Sequence, residues 1–179
     1  MITRDEFFNK NNGKYIDFDN AFGFQCYDLF LFYLRDVLNI NPSPYQGWGT
    51  AKNCYLNFVN INGASKYFDL IANSPTNAPQ PGDIVFWGTY LFVTGTAGHV
   101  AICSSVNVNT LVTFDQNYPT GSPCHFVTHS YKGVMGWWHP KSIPPNDQNT
   151  LLKAIKDVVY SSISPQEKMD KLLKLLENQ

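Results

Sequence analysis

The stretch Gln25-Cys26-Tyr27-Asp28-Leu29-Phe30-Leu31-Phe32-Tyr33-Leu34 opens a segment, residues 25–39, that contains neither glycine nor proline. Apolar side chains run along this segment, so we predict one long helix over residues 25–39. A second helix is predicted over residues 51–59. Both predicted helices lie in the first third of the chain.

Short runs of β-forming residues follow a stretch rich in proline, glycine and asparagine at residues 73–82. Turn residues separate these runs, and we predict strands over residues 83–87, 99–104, 110–115 and 134–139. Helices first and strands second indicate an α+β domain. Its N-terminal helices are expected to pack on one face of a twisted antiparallel sheet.

Composition narrows the class of protein. The chain has 179 residues, 44% of them hydrophobic, and a net charge of -1. Its length and apolar content suit one compact domain with a small appendage. A phosphate-binding surface normally brings a basic excess, so we expect no nucleic-acid partner. No apolar run approaches the roughly 20 residues that a membrane span needs.

The chain changes in character near residue 140. Of 27 aromatic residues (4 Trp, 10 Tyr and 13 Phe), only Tyr160 lies beyond that point. We therefore predict a main domain over residues 1–140 and a linker with a helical tail over residues 141–179. Pro144 and Pro145 favour a linker, and Ser164-Pro165-Gln166-Glu167 is typical of a helix start. The tail is interpreted as a helical hairpin packed on the main domain, or else as a docking element or the start of another module.

Cys26 stands at the predicted start of the long helix. The free N–H groups at a helix N-terminus favour a thiolate and can also hold an oxyanion. A cysteine near a helix start is more often structural, however, so this position does not by itself establish a nucleophile. The other three cysteines are irregularly spaced, and we expect them to be inert thiols that neither form disulfides nor bind zinc. They are Cys54, Cys103 and Cys124.

His99 opens an otherwise apolar predicted strand, which is an unusual place for a histidine that serves only packing. The next predicted strand ends at Asp115-Gln116-Asn117, where period-two alternation would place Asp115 and Asn117 on one face. A nucleophilic thiol needs a base, and the base needs a third group to hold its tautomer. The same segment is also compatible with a simple turn. The remaining histidines, His125, His129 and His139, have no such context and are expected to be ordinary surface or core residues.

Four segments in this order resemble the motifs of the CHAP family, the cysteine, histidine-dependent amidohydrolases/peptidases of bacteriophage lysins. They are FQCYDL (24–29), PGDIVF (81–86), GHVAI (98–102) and DQNY (115–118). The resemblance covers residues 5–140 and implies a papain-like fold, with Cys26 as nucleophile and His99 as base. Family members often carry a Glu where Asp115 stands. The shorter side chain leaves open whether Asp115 or Asn117 orients the imidazole, and Gln25 is expected to help bind the oxyanion.

Three aspartates lie near Cys26 in the sequence: Asp17 and Asp19 precede it, and Asp28 follows it. Ca²⁺ takes several oxygen ligands, and the backbone carbonyls of Ala21 and Gly23 could complete the set. CHAP lysins are similar here, since several carry calcium in this loop, so we expect a structural Ca²⁺. The alternative is a solvated acidic turn in which Asp28 complements the helix dipole.

The resemblance implies hydrolysis of an amide bond in bacterial peptidoglycan through a thioester. An endopeptidase is favoured, and an N-acetylmuramoyl-L-alanine amidase is the alternative. Trp48, in a glycine-flanked loop, is predicted to contact the substrate. A non-catalytic wall-binding module and an intracellular papain-type protease are alternatives from other classes of protein. The complete Cys26, His99 and Asp115–Asn117 set argues against the module, and the calcium-like loop argues against the protease.

The start of the chain, residues 1–6, lacks the apolar core of a signal peptide. By the resemblance, we expect a protein made in the host cytoplasm that acts on the wall after release, or one carried in a virion. A separate cell-wall-binding domain or a virion protein is an expected partner.

Overall fold

The computed structural model describes residues 2–88, 96–141, 158–159, 164 and 166–171. The chain divides into two compact units, Met1–Lys141 and Ser142–Gln179. Within the described residues, no helix has both the length and the apolar content to cross a membrane.

Four α-helices precede the six strands of the sheet. They are α1 (Arg4–Asn11), α2 (Cys26–Asp36), α3 (Ala51–Leu56) and α4 (Ala64–Tyr67), with 3-10 turns at Ser43–Tyr45 and Phe58–Asn60. The predicted long helix is confirmed as α2, and the second predicted helix divides into α3 and the turn after it. Helix α1 was not predicted. Its start is stabilised by a capping box, in which the Thr3 side chain accepts from the Glu6 N–H and the Glu6 carboxylate accepts from the Thr3 N–H.

Six antiparallel strands form one sheet in the order β1-β6-β2-β3-β4-β5. They are β1 (Phe68–Ala72), β2 (Ile84–Trp87), β3 (His99–Val106), β4 (Thr110–Asp115), β5 (His125–Ser130) and β6 (Val134–Pro140). The four predicted strands are confirmed as β2, β3, β4 and β6. The edge strands β1 and β5 were not predicted. The α+β architecture predicted from the order of helices and strands is confirmed.

Alternation along the strands gives the sheet two apolar faces. One carries Phe86 and Trp138, whose rings lie 4.7 Å apart and pack against Phe30 of α2. The other carries a buried cluster that includes Trp87, Leu111 and Trp137. Because α2 is anchored on the central strands, its N-terminus is held close to the start of β3.

Little of the predicted tail falls within the described residues. Residues 158–159 and 166–171 are helical. Ser164 and Glu167 form a capping box, in which the Glu167 N–H donates to the Ser164 hydroxyl and the Glu167 carboxylate accepts from the Ser164 N–H. The predicted linker around Pro144 and Pro145 lies outside the described residues, and so does most of the predicted hairpin.

Candidate active site

Cys26 is the first residue of α2 and lines a cleft. The cleft lies between the start of α2, residues 49–51, residues 97–99 and the turn that carries Asn117 and Thr120. Cys26 is half-buried, whereas the other three cysteines are buried, and all four are free thiols. Cys26 is therefore the one cysteine that combines access to the cleft with the N-terminus of a long helix.

His99 is the first residue of β3 and is 2% exposed. Its position depends on Gly98, which has a φ of +70°. A Cβ at that position would overlap the carbonyl oxygen of Trp87 and crowd Lys52. Glycine allows the chain to turn into β3 at this close approach, so that His99 faces the cleft.

Asp115 is completely buried at the end of β4. Its Oδ2 lies 2.7 Å from Nε2 of His99, and its Oδ1 accepts a short hydrogen bond from the Thr113 hydroxyl. A carboxylate can only accept, so His99 carries its proton on Nε2 and leaves Nδ1 to face the thiol. Asp115 is thus placed to fix both the tautomer and the orientation of the imidazole.

The charges of the three groups reinforce one another. Burial disfavours the imidazolium, but the charge of Cys26 and hydrogen bonds to Asp115 and Cys26 outweigh it and raise the pKa of His99 to about 10. Burial also opposes ionisation of Asp115, yet hydrogen bonds from His129 and His99 lower the pKa of its carboxyl. The arrangement favours an imidazolium at His99 beside an ionised Asp115 carboxylate.

Asn117 does not share the face of Asp115, and the prediction that both lie on one face was wrong. Strand β4 ends at Asp115, and Asn117 adopts a left-handed φ of 62°. The Asn117 side chain instead donates to Oε1 of Gln25 at 3.1 Å and accepts from the Gly121 N–H. Asp115 therefore contacts the imidazole, while Asn117 braces Gln25 at the edge of the cleft.

Gln25 is the residue before α2 and lines the cleft. One of its amide N–H groups donates to the carbonyl of Phe22 at 2.7 Å. A carboxamide has a second N–H, and the first N–H groups of a helix have no partner within the helix. Gln25 and the start of α2 therefore bring N–H donors to the cleft that Cys26 lines.

Asp17, Asp19 and Asp28 form an acidic cluster in front of α2. One carboxylate oxygen from each lies within 4.8 Å of the others. Asp28 is buried and accepts from the backbone N–H groups of Phe18 and Gln25, at 3.0 and 2.7 Å. Burial, together with the charges of Asp19 and Asp17, raises the pKa of Asp28. Across the described residues, no lysine or arginine forms an ion pair with these three groups.

The family model described as the CHAP domain matches residues 15–117. This is more than half of the chain, and it includes the acidic cluster, Cys26, His99 and Asp115. The chain belongs to the CHAP family. The resemblance of the four sequence motifs is thereby confirmed.

Two relatives of the CHAP domain come from staphylococci and their phages. The chain is 28% identical to Endolysin PlyTW of Staphylococcus phage Twort over 134 residues, which are 69% of this chain and 26% of that protein. It is 33% identical to Probable autolysin PH of Staphylococcus aureus over 121 residues, which are 66% of this chain and 23% of that protein. The chain thus spans about a quarter of the length of these relatives.

Two solved structures share the fold. The wild-type endolysin LysIME-EF1 superposes with a TM-score of 0.61 and 23% identity, over 80% of this chain and 67% of that one. Ly7917 superposes with a TM-score of 0.55 and 21% identity, over 78% of this chain and 63% of that one.

Gln116 is a buried residue of the CHAP site that the sequence analysis did not single out. Its amide accepts from the N–H of Ile16 and donates to the carbonyls of Ile16 and Gln25, each at 2.7 Å. The Cys124 thiol completes the set at 3.1 Å. Gln116 therefore ties the end of β4 to the segment that enters α2.

His129 and His139 were expected to have no setting comparable to that of His99, but each pairs with a buried aspartate. His129 is 3% exposed, and its Nε2 lies 3.0 Å from the same oxygen of Asp115 that His99 contacts. Nδ1 of His139 lies 2.7 Å from Oδ1 of the buried Asp83. The β-forming run Phe126-Val127-Thr128 is the one local signal for His129, because it predicts a strand.

Trp48 lies next to the cleft rather than among the residues that line it. Its indole N–H donates to the carbonyl of Pro44 at 3.1 Å, and its neighbour Gly49 lines the cleft. Trp48 is half-buried, so part of the ring remains open to solvent.

Proposed function

We propose that this CHAP domain hydrolyses an amide bond of bacterial peptidoglycan, with Cys26 as nucleophile and His99 as base. The observation that carries the proposal is the buried Asp115–His99 hydrogen bond of 2.7 Å at the cleft that Cys26 lines. The names of the two relatives, an endolysin and an autolysin, support a wall substrate.

The reaction runs in two halves. Nδ1 of His99 takes the proton of the Cys26 thiol, and the sulfur attacks the carbonyl carbon of the scissile amide, so a C–S bond forms as the carbonyl oxygen becomes an oxyanion. His99 then gives that Nδ1 proton to the departing amine, so the C–N bond breaks and a thioester remains. Water attacks the thioester and gives a proton to Nδ1 of His99; the C–S bond breaks, the carboxylic acid leaves, and the Nδ1 proton returns to the Cys26 sulfur. The other proton of His99 stays on Nε2 throughout, hydrogen-bonded to the ionised Asp115.

Hydrogen-bond donors at the start of α2 are proposed to bind the oxyanion. The backbone N–H of Cys26 and the second amide N–H of Gln25 are the groups proposed to bind it. Removing one such donor in other enzymes slows the reaction by about a hundred- to a thousandfold. Asn117 keeps Gln25 in place for this role through its hydrogen bond to Oε1.

We favour an endopeptidase, which cuts a stem or cross-bridge peptide bond, over an amidase acting on the muramoyl–alanine bond. The same thioester chemistry serves both reactions. Trp48 is proposed to contact the substrate at the rim of the cleft, where its exposed ring area could stack on a sugar or a peptide.

Mass analysis of the soluble fragments from purified walls tests the function and identifies the bond. An endopeptidase releases fragments with new peptide amino termini, whereas an amidase releases glycan without stem peptides. A parallel digest with Cys26→Ala should release neither. If the wild-type chain released no fragments, or fragments from glycan cleavage alone, the proposal would be wrong.

We also propose that Asp17, Asp19 and Asp28, with the backbone carbonyls of Ala21 and Gly23, hold a structural Ca²⁺. The three clustered carboxylates fit a hard cation, since their mutual repulsion is otherwise unbalanced by any described lysine or arginine. When bound, the ion supplies positive charge that offsets this repulsion. Asp17 and Asp19 also accept N–H groups of their own loop, which is equally typical of a solvated turn.

We further propose that the protein acts on the wall after release from the cytoplasm of the cell that makes it, or as part of a virion. A separate wall-binding domain or a virion protein would bring it to its substrate. The phage origin of Endolysin PlyTW supports this proposal.

A further inference from the structure

Asp115 accepts hydrogen bonds from two histidines on the same oxygen. Nε2 of His99 and Nε2 of His129 lie 2.7 and 3.0 Å from Oδ2, and the other oxygen accepts from Thr113. All four side chains are buried. The proposed reaction uses His99 and Asp115 but assigns nothing to His129.

The ring of His129 is fixed by aromatic neighbours. It packs on Trp87 with ring centroids 4.9 Å apart and on Tyr118 at 4.8 Å. Both of these rings also contact His99, at 5.5 and 5.6 Å. His129 and His99 are thus held by the same two aromatic residues and by the same carboxylate.

Asp115 depends on these donors. A buried carboxylate needs hydrogen bonds to remain charged, because burial alone would favour its neutral form. With one oxygen satisfied by Thr113, the position of the other determines where His99 points. His129 approaches that oxygen from β5, whereas His99 approaches it from β3. The carboxylate on β4 is therefore hydrogen-bonded by both neighbouring strands.

We infer that His129 is a positioning residue of the active site, an inference that rests on the proposed function. Through its Nε2–H, His129 keeps Asp115 ionised and directed at His99. His129 contacts no reacting atom in this scheme. Without it, Asp115 binds its proton more readily and turns more freely, and the imidazolium beside Cys26 loses part of its stabilisation.

Titratable groups from several elements surround His129. Asp115 of β4 lies against it, together with His99 of β3 and Tyr118 from the turn after β4. Cys26 of α2 lies against His99, and the charge of Asp115 also reaches the buried Cys124. In the described part of the site, no lysine or arginine forms an ion pair with Asp115.

The rate at which iodoacetamide alkylates Cys26 tests the inference without any wall substrate. Peptide mapping by mass spectrometry separates Cys26 from the three buried cysteines. For His129→Phe, which keeps the ring but loses the donor, we expect the alkylation rate at pH 6 to fall about ten- to a hundredfold. His129→Gln, which retains an amide N–H, should recover most of the rate.

Leu111→Ala is the matched control, because Leu111 is buried opposite His129 on β4 and has no polar group to offer Asp115. It should destabilise the fold and leave the alkylation rate of Cys26 unchanged. In wall digestion, His129→Phe should lower kcat with little change in KM. An unchanged alkylation rate for folded His129→Phe, or an equal loss of rate for Leu111→Ala, would overturn the inference. If no variant, including wild type, digests walls but His129→Phe still alkylates more slowly, the proposed function fails and the positioning role stands.

Discussion

At the scale of single residues, the buried carboxylate of Asp115 is the hydrogen-bond partner that orients the imidazole proposed to act as base, His99. Asp115→Asn keeps the size of the side chain but removes its charge and presents an amide to His99. We expect wall digestion to fall by about a hundred- to ten-thousandfold, because the imidazole loses its tautomer and its counter-charge. Far-UV circular dichroism should show an unchanged fold.

Asp83→Asn is the control for this change. Asp83 is also a buried aspartate that pairs with a histidine, His139, but it lines no part of the cleft. We expect it to lower the melting temperature and to leave the rate per folded molecule close to wild type. Equal losses of rate in both variants would remove the case for Asp115 as the orienting group.

The raised pKa of His99, about 10, predicts the alkaline limb of activity. The imidazolium must be present to protonate the leaving amine, and it persists until the pH passes through that value. The rate of wall digestion should therefore stay level well above pH 6.5, the ordinary value for histidine, and fall only near pH 10. The fall should move to lower pH in Asp115→Asn. A wild-type rate that halves near pH 7 would contradict this.

The raised pKa of His99 also makes the stability of the fold depend on pH. A group whose pKa is higher in the folded chain stabilises the fold fully below its unfolded value, and this contribution is lost as the pH rises through the folded value. The buried imidazolium of His99 should therefore support the fold at neutral pH and cease to do so near pH 10. Asp115 acts in the opposite sense, since its lowered pKa gives stability that disappears only in strong acid.

That Cys26, His99 and Asp115 lie close together could be predicted from the sequence, because each stands at the end of a predicted element. Cys26 begins a helix, and the other two stand at the ends of consecutive strands that pair with each other. His129 could not be predicted in the same way. Its contact with Asp115 depends on the pairing of β4 with β5, and β5 itself was missed.

At the scale of elements, Gln116 links the end of β4 to the start of α2. Gln116→Leu would leave the N–H and carbonyl of the buried Ile16 without this partner. It would also remove one of the two hydrogen bonds to the carbonyl of Gln25, which still accepts from the Asp28 N–H. We expect it to lower the free energy of unfolding by about 2 kcal/mol or more, at about 1–3 kcal/mol for each of the two unpaired groups of Ile16. Thermal or denaturant unfolding measures this directly.

Gln116→Glu refines the test, because a glutamate keeps the acceptor for Ile16 but loses the donors to both carbonyls. It should be destabilised and should also alkylate more slowly at Cys26, since the start of α2 is no longer held. Unchanged stability in Gln116→Leu would show that the bridge contributes nothing to this junction.

The acidic loop before α2 predicts a response to calcium. With Ca²⁺ at about a hundred times its dissociation constant, binding should add about 2.7 kcal/mol, which is roughly 5–10 °C in melting temperature for a chain of this size. A chelator should reverse the gain. Asp19→Asn should weaken the response, whereas Asp69→Asn, at an exposed aspartate of β1 paired with Lys141, should not. Melting temperatures indifferent to both calcium and chelator would leave the loop as a solvated turn.

The elements that the sequence predicted are those with strong local signals. Helix α2 lacks glycine and proline, and β2, β3, β4 and β6 are apolar runs bounded by turn residues. Strands β1 and β5 lie at the two edges of the sheet, where one side is unpaired and polar side chains dilute the pattern. Helix α1 was missed although Thr3 and Glu6 form a recognisable capping box.

At the scale of the whole molecule, the division after Lys141 predicts that the first unit folds by itself. A chain that ends at Lys141 should unfold in one cooperative transition and should alkylate at Cys26 at the rate of the full chain. Calorimetry and the alkylation assay measure both. A loss of the cooperative transition would show that the fold of the first unit depends on the tail.

The most direct test of the central claim compares three chains on bacterial walls: wild type, Cys26→Ala and Cys103→Ala. The last removes a buried thiol of β3 that lies outside the cleft. Clearing of wall suspensions from a panel of bacteria that includes staphylococci measures activity. We predict that wild type and Cys103→Ala clear at least one member of the panel and that Cys26→Ala clears none. Equal clearing by wild type and Cys26→Ala, or no clearing of any wall by wild type, would contradict a hydrolase built on Cys26.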